Sequence, residues 1–311
     1  EMLLEIARFW ASAATFDEAR GRWRILGVMG PDEFHDAMPG RSRPGLDDNA
    51  YTNVMAAWVI RRAREALALL PEDRAAELAE RIGLEDTELA HWDAVAGRMY
   101  VPFHGEAGEI ISQFEGYADL AEFDWDGYRE KYGDIQRLDR ILGAEGDTPN
   151  NYKVSKQADV LMLFYLLSAE ELYDLFGAMG YALTPDMIPA NVDYYLARTS
   201  HGSTLSRVVH SWVLARTDRR RAWALFQQAL GSDVSDIQGG TTEEGIHLGA
   251  MAGSVDLLLR GFTGIETRGD VLRLNPQLPD EVRRLTVPVR YRGHSLHITI
   301  DQDTLTVRAL R

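Results

Sequence analysis

The chain has 311 residues, of which 45% are hydrophobic, contains no cysteine and carries a formal net charge of −15 at pH 7. This length and composition predict one or two globular domains with a substantial core. The negative charge argues against binding to nucleic acid or to an anionic membrane surface. The lack of cysteine excludes disulfides and thiolate chemistry. It also makes a reducing, cytoplasmic location the default expectation. No apolar run reaches the length that crosses a bilayer, so we expect a soluble protein.

Apolar residues recur at helical spacing through the first 263 residues. The chain opens inside such a pattern, with Leu3, Ile6 and Trp10 on one face, and we therefore expect it to be one piece of a longer chain. The long polar connections between these segments favour helical hairpins arranged in a toroid or bundle. Helices are predicted over residues 2–14, 47–70, 71–82, 84–98, 155–168, 170–179, 204–216, 218–230 and 246–260.

The pattern changes after Gly264 to an alternation of apolar and polar residues, which is typical of half-buried strands. Turns are expected at Arg292-Gly293 and at residues 301–303. The sequence therefore predicts two domains, a helical one over residues 1–263 and a small antiparallel β-sheet over residues 264–311. Strands are predicted over residues 271–274, 285–291, 294–300 and 304–308.

Two motifs near the start suggest acid catalysis. GPDEFH at residues 30–35 lies on a loop rich in glycine and proline, and DDNAYTN at residues 47–53 opens the following helix. A carboxylic acid on such a loop, flanked by aromatic surface, can have its pKa raised by desolvation until it donates a proton near neutral pH, and Glu33 is the candidate. Alternatively, Asp32 and Glu33 are solvated turn residues and Asp48 caps the helix.

A third motif, KQADV at residues 156–160, starts another helix. Lys156 and Gln157 offer several hydrogen-bond donors, which suit hydroxyl groups of a polyol ligand. An exposed helix face is the alternative interpretation.

Two further motifs place small hydroxyl residues at helix starts, where backbone N–H groups and the helix dipole favour anions. The first is HGSTLS at residues 201–206, with Ser203 and Thr204 as candidates; an ordinary cap is the alternative. The second, GGTTEEGIH at residues 239–247, offers Gly240, Thr241 and His247. Alternatively, Glu243 and Glu244 complement the dipole or cap the helix, and His247 is structural. No histidine or carboxylate spacing indicates a metal site.

These five motifs, in this order, resemble the catalytic domain of glycoside hydrolase family 65, which includes maltose, trehalose and kojibiose phosphorylases. The resemblance covers nearly the whole chain. It implies a mainly α fold, the later part of an (α/α)6 toroid, followed by a small C-terminal antiparallel β-sheet domain. The family's upstream Phe-Trp-Asp motif is missing here, so the resemblance implies that an N-terminal portion of the same enzyme completes the sugar site.

The resemblance also implies roles for single residues. Glu33 matches the general acid, and Lys156 and Gln157 match the residues that contact the sugar. The implied phosphate-binding residues are Ser203, Thr204, Gly240, Thr241 and His247. Ser203-Thr204 departs from the usual Ser-Ser pair, and Glu243 adds a negative charge beside the implied anion.

The implied reaction is the inverting phosphorolysis of an α-linked glucosyl disaccharide, which gives β-glucose 1-phosphate and a free sugar. Inorganic phosphate is the co-substrate, no other cofactor is expected, and a homodimer is implied. An inverting hydrolase with Glu243 or Glu244 as base is one alternative. A catalytically silent carbohydrate-binding module is the other. The loop of residues 36–44, with Arg41 and Arg43, is where we expect acceptor selectivity to be encoded.

Overall fold

The computed structural model describes residues 1–41, 43–215, 217–236, 243 and 245–310. Contacts within the chain divide it into two compact units, Glu1–Ser200 and His201–Arg311. The predicted domain boundary at residues 263 and 264 lies inside the second unit, and it stays a prediction.

The first unit is mainly helical. It also has two short antiparallel hairpins, one formed by β1 and β2 and the other by β3 and β4. Its helices are α1 (Met2–Ala13), α2 (Ala50–Ala68), α3 (Glu72–Ile82), α4 (Asp86–Gly97), α5 (Trp125–Tyr132), α6 (Leu138–Glu145), α7 (Asp159–Leu166), α8 (Ala169–Ala178) and α9 (Met187–Leu196). Its strands are β1 (Thr15–Asp17), β2 (Arg22–Arg24), β3 (Phe103–His104) and β4 (Ile110–Ile111).

Helix α2 lies at the centre of this unit and packs against α1, α4 and α7. Its N-terminus is capped by Asn49, whose side chain accepts a hydrogen bond from the backbone N–H of Thr52. Helix α8 begins with a complete capping box between Ser168 and Glu171. These local signals set the positions at which the helices start, and apolar burial then holds them together.

In its described residues, the second unit contains three α-helices and five strands. Helices α10 and α12 approach closely at Gly253, where an added Cβ would lie 2.7 Å from a methyl carbon of Val208. A π-helical turn, Leu257–Phe262, continues α12. The elements are α10 (Thr204–Leu214), α11 (Arg219–Gly231), α12 (Leu248–Asp256), β5 (Glu266–Arg268), β6 (Val271–Arg273), β7 (Arg284–Tyr291), β8 (His294–Asp301) and β9 (Leu305–Leu310).

Strands β7, β8 and β9 form an antiparallel sheet in that order, and β5 pairs with β6. Tyr291 pairs with His294 across the first turn, where Arg292 and Gly293 both have positive φ. Two such residues give a hairpin turn whose twist matches that of the strands. The predicted turn at Arg292-Gly293 is therefore confirmed. The predicted fold class, mainly α with a small antiparallel sheet at the C-terminal end, is confirmed as well.

Candidate active site

Glu33 lies on the loop that joins β2 to α2, as the sequence predicts. The loop is closed on itself, because the backbones of Val28 and Leu46 exchange two hydrogen bonds and the N–H of Gly45 donates to the carbonyl of Asp36. These bonds hold the loop's two arms together. The acid is therefore carried on a hydrogen-bonded scaffold, although the segment has little regular secondary structure.

Glu33 has a φ of 65°, in the left-handed region that a residue with a Cβ seldom adopts. Its side chain is 64% exposed, and its Oε2 lies 2.7 Å from the Nζ of Lys156. This exposure contradicts the desolvated environment expected for the proton donor, and it agrees with the alternative that Glu33 is a solvated turn residue. Strained residues of this kind cluster at functional sites.

Asp32 fixes the loop against the start of the KQADV motif. Its buried Oδ1 accepts hydrogen bonds from the backbone N–H of Lys156, at 2.6 Å, and of Gln157, at 3.2 Å. The side-chain amide of Gln157 donates to the carbonyl of Pro31 at 3.0 Å. With the Lys156–Glu33 pair, four contacts join residues 31–33 to residues 156 and 157. The structure therefore brings three predicted site residues together, namely Glu33, Lys156 and Gln157.

The other oxygen of Asp32 faces two more buried side chains. His35 Nδ1 lies 3.2 Å from it and Gln113 Nε2 lies 3.4 Å from it. The second ring nitrogen of His35 is 3.0 Å from the carbonyl oxygen of Tyr152. Phe34 enters a hydrophobic cluster with Phe123, Leu138, Leu142 and Val154. Asp32, Phe34 and His35 thus anchor the motif from inside, which contradicts the alternative that Asp32 is a solvated turn residue.

A second buried carboxyl group, that of Asp159, lies beneath the same loop. Asn49 donates to its Oδ2 at 2.6 Å, and its backbone N–H donates to Gln113 Oε1 at 2.5 Å. A Cβ on Gly30 would lie only 1.8 Å from this Oδ2, so the close approach requires glycine. Burial, followed by the charge of Asp32, raises the pKa of Asp159 well above its ordinary value. Burial therefore favours the neutral form of Asp159.

Asp48 does not cap α2, contrary to the alternative interpretation of DDNAYTN, because Asn49 occupies the cap position. The Asp48 carboxylate is fully buried and binds two nitrogens of Arg24, Nε at 2.7 Å and a terminal nitrogen at 2.5 Å. Burial raises the pKa of Asp48, and the hydrogen bond from Arg24 opposes this effect. This pair fixes the end of β2 to the start of α2.

In the second unit, Ser203 is the N-cap of α10, and its Oγ accepts a hydrogen bond from the backbone N–H of Leu205 at 3.2 Å. Thr204 is the first helical residue and is buried. The structure thus gives Ser203 the capping role that the sequence allowed as the alternative. A capped helix start still presents backbone N–H groups, so anion binding there stays a prediction.

Two histidines support this helix start, the half-buried His201 and the buried His210. His201 Nδ1 lies 2.9 Å from the hydroxyl of Ser206, which lies 3.3 Å from His210 Nδ1. Burial lowers the pKa of His201 to about 4 and that of His210 well below its ordinary value. Both rings are therefore neutral at physiological pH, and they hold the first turn of α10 in place.

His247 occupies the N-cap position of α12 and does not lie within the helix. Its backbone N–H donates to one oxygen of Asp233 at 2.9 Å, and its Nδ1 lies 2.6 Å from the other. The hydrogen bond from His247 lowers the pKa of Asp233. Asp233 thereby orients the ring. The other residues predicted from this motif, Gly240 and Thr241, lie outside the described residues, as does Glu244, whereas Glu243 is exposed.

The sequence did not identify four polar residues that contact the candidate site residues in the structure: Asn49, Gln113, Asp159 and Asp233. Asn49 belongs to the DDNAYTN motif and Asp159 to the KQADV motif, so their place among other polar site candidates was the available signal. Gln113 and Asp233 belong to no such motif, and only the folded chain brings them to their partners.

Among the described ranges, no group of three or more histidine, aspartate or glutamate side chains could hold a metal ion. The described helices include none long and apolar enough to span a membrane.

Comparison with known sequences gives two family matches. The model for the glycosyl hydrolase family 65 central catalytic domain matches residues 1–256, and the model for the family 65 C-terminal domain matches residues 265–311. An uncharacterized glycosyl hydrolase of Mycobacterium tuberculosis is 58% identical over 309 residues, covering 99% of this chain and 23% of that protein.

Relatives with named activities are more distant. The trehalose 6-phosphate phosphorylase of Lactococcus lactis is 36% identical over 310 residues, and the kojibiose phosphorylase of Caldanaerobacter subterraneus is 31% identical over 316. The matches cover 99% and 100% of this chain but only 38% of either relative. The chain therefore spans well under half the length of these relatives.

A solved structure has the same fold. It is a putative kojibiose phosphorylase from the human microbiome, with a TM-score of 0.76 and 24% sequence identity, and the match covers 99% of this chain and 42% of that one. This likeness confirms the fold that the motifs implied.

Proposed function

Because the chain belongs to glycosyl hydrolase family 65, we propose that it forms part of an inverting phosphorylase that cleaves an α-linked glucosyl disaccharide. The named relatives act as phosphorylases of trehalose 6-phosphate, kojibiose and maltose, which supports phosphate as the attacking group. These names include both neutral and phosphorylated disaccharides.

The observation that carries the proposal is the set of four contacts between the Glu33 loop and residues 156 and 157. They place an exposed carboxyl group beside an ammonium and an amide. A proton donor next to hydrogen-bond donors for hydroxyl groups is the arrangement that cleavage of a glycosidic bond needs.

In the proposed reaction, Glu33 gives its proton to the glycosidic oxygen while a phosphate oxygen attacks the anomeric carbon from the opposite face. The bond between the anomeric carbon and the glycosidic oxygen breaks, and its electrons stay with the departing sugar, which keeps the proton. The configuration inverts to β-glucose 1-phosphate. Phosphate replaces the base-activated water of an inverting hydrolase, so no second catalytic carboxylate is required.

Lys156 and Gln157 would contact the sugar. When Glu33 carries a proton it loses its ion pair with Lys156, and the ammonium can then donate to a sugar hydroxyl instead. The contact between Gln157 and Pro31 keeps this side chain beside the acid loop. Both residues thus connect sugar binding with the position of the proton donor.

We assign the binding of inorganic phosphate to Ser203, Thr204 and His247, with Gly240 and Thr241 as further candidates. The helix start at Ser203 offers backbone N–H groups, and Asp233 directs the His247 ring. Inorganic phosphate is the only co-substrate in this proposal, and no cofactor takes part. The homodimer, the cytoplasmic location and the completion of the sugar site by an N-terminal portion of the same enzyme stay predictions.

Hydrolysis is the alternative reaction. The carboxyl groups near Glu33 that could activate water include Asp32 and Asp159, but both are buried and hydrogen-bonded. This favours phosphorolysis, and the exposed Glu243 is the candidate base if phosphate proves unnecessary. A silent carbohydrate-binding module would not need a left-handed, exposed acid beside a lysine.

Glu33→Gln in the full-length protein tests the role of the acid. We expect phosphorolysis of disaccharides to fall about 10²- to 10⁴-fold, because a sugar leaving group needs a proton. Phosphorolysis of α-glucosyl fluoride should change far less, since fluoride departs without one. Rates are measured by release of glucose 1-phosphate, and Glu106→Gln, on an exposed loop of the same unit, is the matched control.

Near wild-type turnover of disaccharides by the Glu33→Gln variant would remove Glu33 from this role. Equal losses with the disaccharide and with the fluoride, in a folded protein, would show that Glu33 acts on binding or structure and does not protonate the leaving group.

A further inference from the structure

A cavity of about 430 Å³ opens on the same loop that carries Glu33. Its lining comes from both arms of the loop, with Leu26 and Gly27 on one side and Arg41, Arg43 and Asp47 on the other. This volume is within the range of pockets that bind small molecules. Glu33 follows Gly27 by six positions, so the two lie at most about 20 Å apart along the chain.

The cavity is positively charged within a strongly negative chain. Arg41 pairs with Asp47, with 2.7 Å between a guanidinium nitrogen and a carboxylate oxygen. Arg43 is exposed and, within the described ranges, makes no ion pair with an acidic side chain. Two guanidinium groups therefore face one carboxylate, whereas the whole chain carries a net charge of −15. A dianionic ligand would be repelled by the general field, so a local excess of arginine is needed to bind it.

Two glycines with positive φ bring the arms of the loop together beside Arg43. Gly27 has a φ of 72°, and a Cβ there would lie 3.9 Å from a terminal nitrogen of the guanidinium. Gly45, on the opposite arm, has a φ of 97°, and a Cβ there would lie 2.6 Å from the backbone carbon of Gly27. The two glycines allow the arms to meet, which fixes the cavity wall next to Arg43.

We propose that this cavity binds a phosphate ester on the disaccharide, so that the preferred substrate is a phosphorylated disaccharide. The proposal rests on the proposed phosphorolysis and narrows its substrate class. Arg43 donates to the ester oxygens, and Arg41 joins it when the ligand displaces Asp47. Planar guanidinium groups make paired hydrogen bonds to phosphate, which a neutral sugar cannot accept with equal strength.

The test compares matched substrates with the full-length protein. The pairs are trehalose with trehalose 6-phosphate and maltose with maltose phosphorylated at C6 of its reducing glucose, each assayed with inorganic phosphate. In both esters the departing sugar can carry the phosphate ester, so the second product is still β-glucose 1-phosphate. We expect kcat/KM to be higher for a phosphorylated member than for its neutral partner. Arg43→Ala should lower that kcat/KM at least about tenfold, the effect of one lost charge-assisted contact. Arg43→Lys should recover only part of it, because lysine lacks the planar fork.

The control is Arg74→Ala, which removes an exposed arginine from α3 of the same unit and should leave every rate unchanged. The KM for inorganic phosphate separates two sources of the anion. An unchanged KM for inorganic phosphate in Arg43→Ala supports binding of the phosphate ester in this cavity. A raised KM for inorganic phosphate, with no change in the ratio of kcat/KM between phosphorylated and neutral disaccharides, would assign the cavity to inorganic phosphate and overturn the proposal.

Equal kcat/KM for the neutral and phosphorylated members of both pairs would also overturn it, while leaving phosphorolysis intact. If no disaccharide were cleaved, the proposed function would fail separately. Calorimetric titration with trehalose 6-phosphate and with maltose phosphorylated at C6 of its reducing glucose would then decide the inference. Binding of either compound that is lost in Arg43→Ala supports the cavity assignment, and no binding or identical binding overturns it.

Discussion

Within the GPDEFH motif, neighbouring residues have opposite roles. Asp32, Phe34 and His35 are buried, and Glu33 is the exposed residue between them. The positive φ of Glu33 makes this arrangement possible, because it reverses the direction of a single side chain. Asp32 is therefore best understood as a positioning residue, which holds Lys156 and Gln157 against the acid without meeting the substrate.

The raised pKa of Asp159 gives a testable dependence of stability on pH. The folded chain keeps a proton that the unfolded chain releases above about pH 3.8, the ordinary value for aspartate. Between that pH and the raised native pKa, the unfolded state binds fewer protons, so this group's contribution to stability falls as pH rises. The amide side chain of asparagine does not titrate in this pH range, so it makes no pH-dependent contribution of this kind.

We therefore expect Asp159→Asn to gain stability relative to wild type as the pH rises from 4 to 8. The measurement is the free energy of unfolding in urea for both proteins across this range. A difference between them that stays constant with pH, or one that moves in wild type's favour, would show that Asp159 is ionised in the folded chain.

At the scale of elements, the sequence predicts the long periodic helices well. The apolar spacing places the first helix at residues 2–14, and the structure has Met2–Ala13. The register of β7 and β8 follows from the turn at Arg292-Gly293. Helices α5, α6 and α9 were not predicted. The first two have only eight residues each, and short helices give weak periodicity and depend on tertiary contacts.

The approach of α12 to α10 at Gly253 belongs to this scale as well. Gly253→Ala places a methyl group 2.7 Å from a methyl carbon of Val208, and we expect this overpacking to destabilise the protein by about 1–3 kcal/mol. Gly231→Ala, at the end of α11 in the same unit, is the control, because its Cβ would make only an ordinary 3.6 Å contact with the Ser235 hydroxyl. Urea unfolding measures both.

A Gly253→Ala variant as stable as Gly231→Ala would mean that α12 and α10 are less tightly packed than described. A marked loss of stability in Gly231→Ala would instead show that alanine is poorly tolerated even where the surroundings leave room for it.

At the scale of the whole molecule, composition excludes functions better than it selects one. The net charge of −15 argues against binding of nucleic acid but does not identify the substrate. The cavity lined by Arg41 and Arg43 is a positively charged site in this negative chain, and composition alone cannot reveal it. The order of five motifs predicts the candidate acid and its lysine and glutamine neighbours. The buried partners of these residues come from distant parts of the chain, as Asp32 and Lys156 do, so only the fold reveals them.

The central claim is that phosphate, and not water, accepts the glucosyl group. Proton and phosphorus NMR of the products most directly tests it, with the full-length protein and a panel of α-linked glucosyl disaccharides, free and phosphorylated, each with and without inorganic phosphate. We predict β-glucose 1-phosphate, formed only when phosphate is present. Release of glucose at the same rate without phosphate would contradict the account and identify a hydrolase.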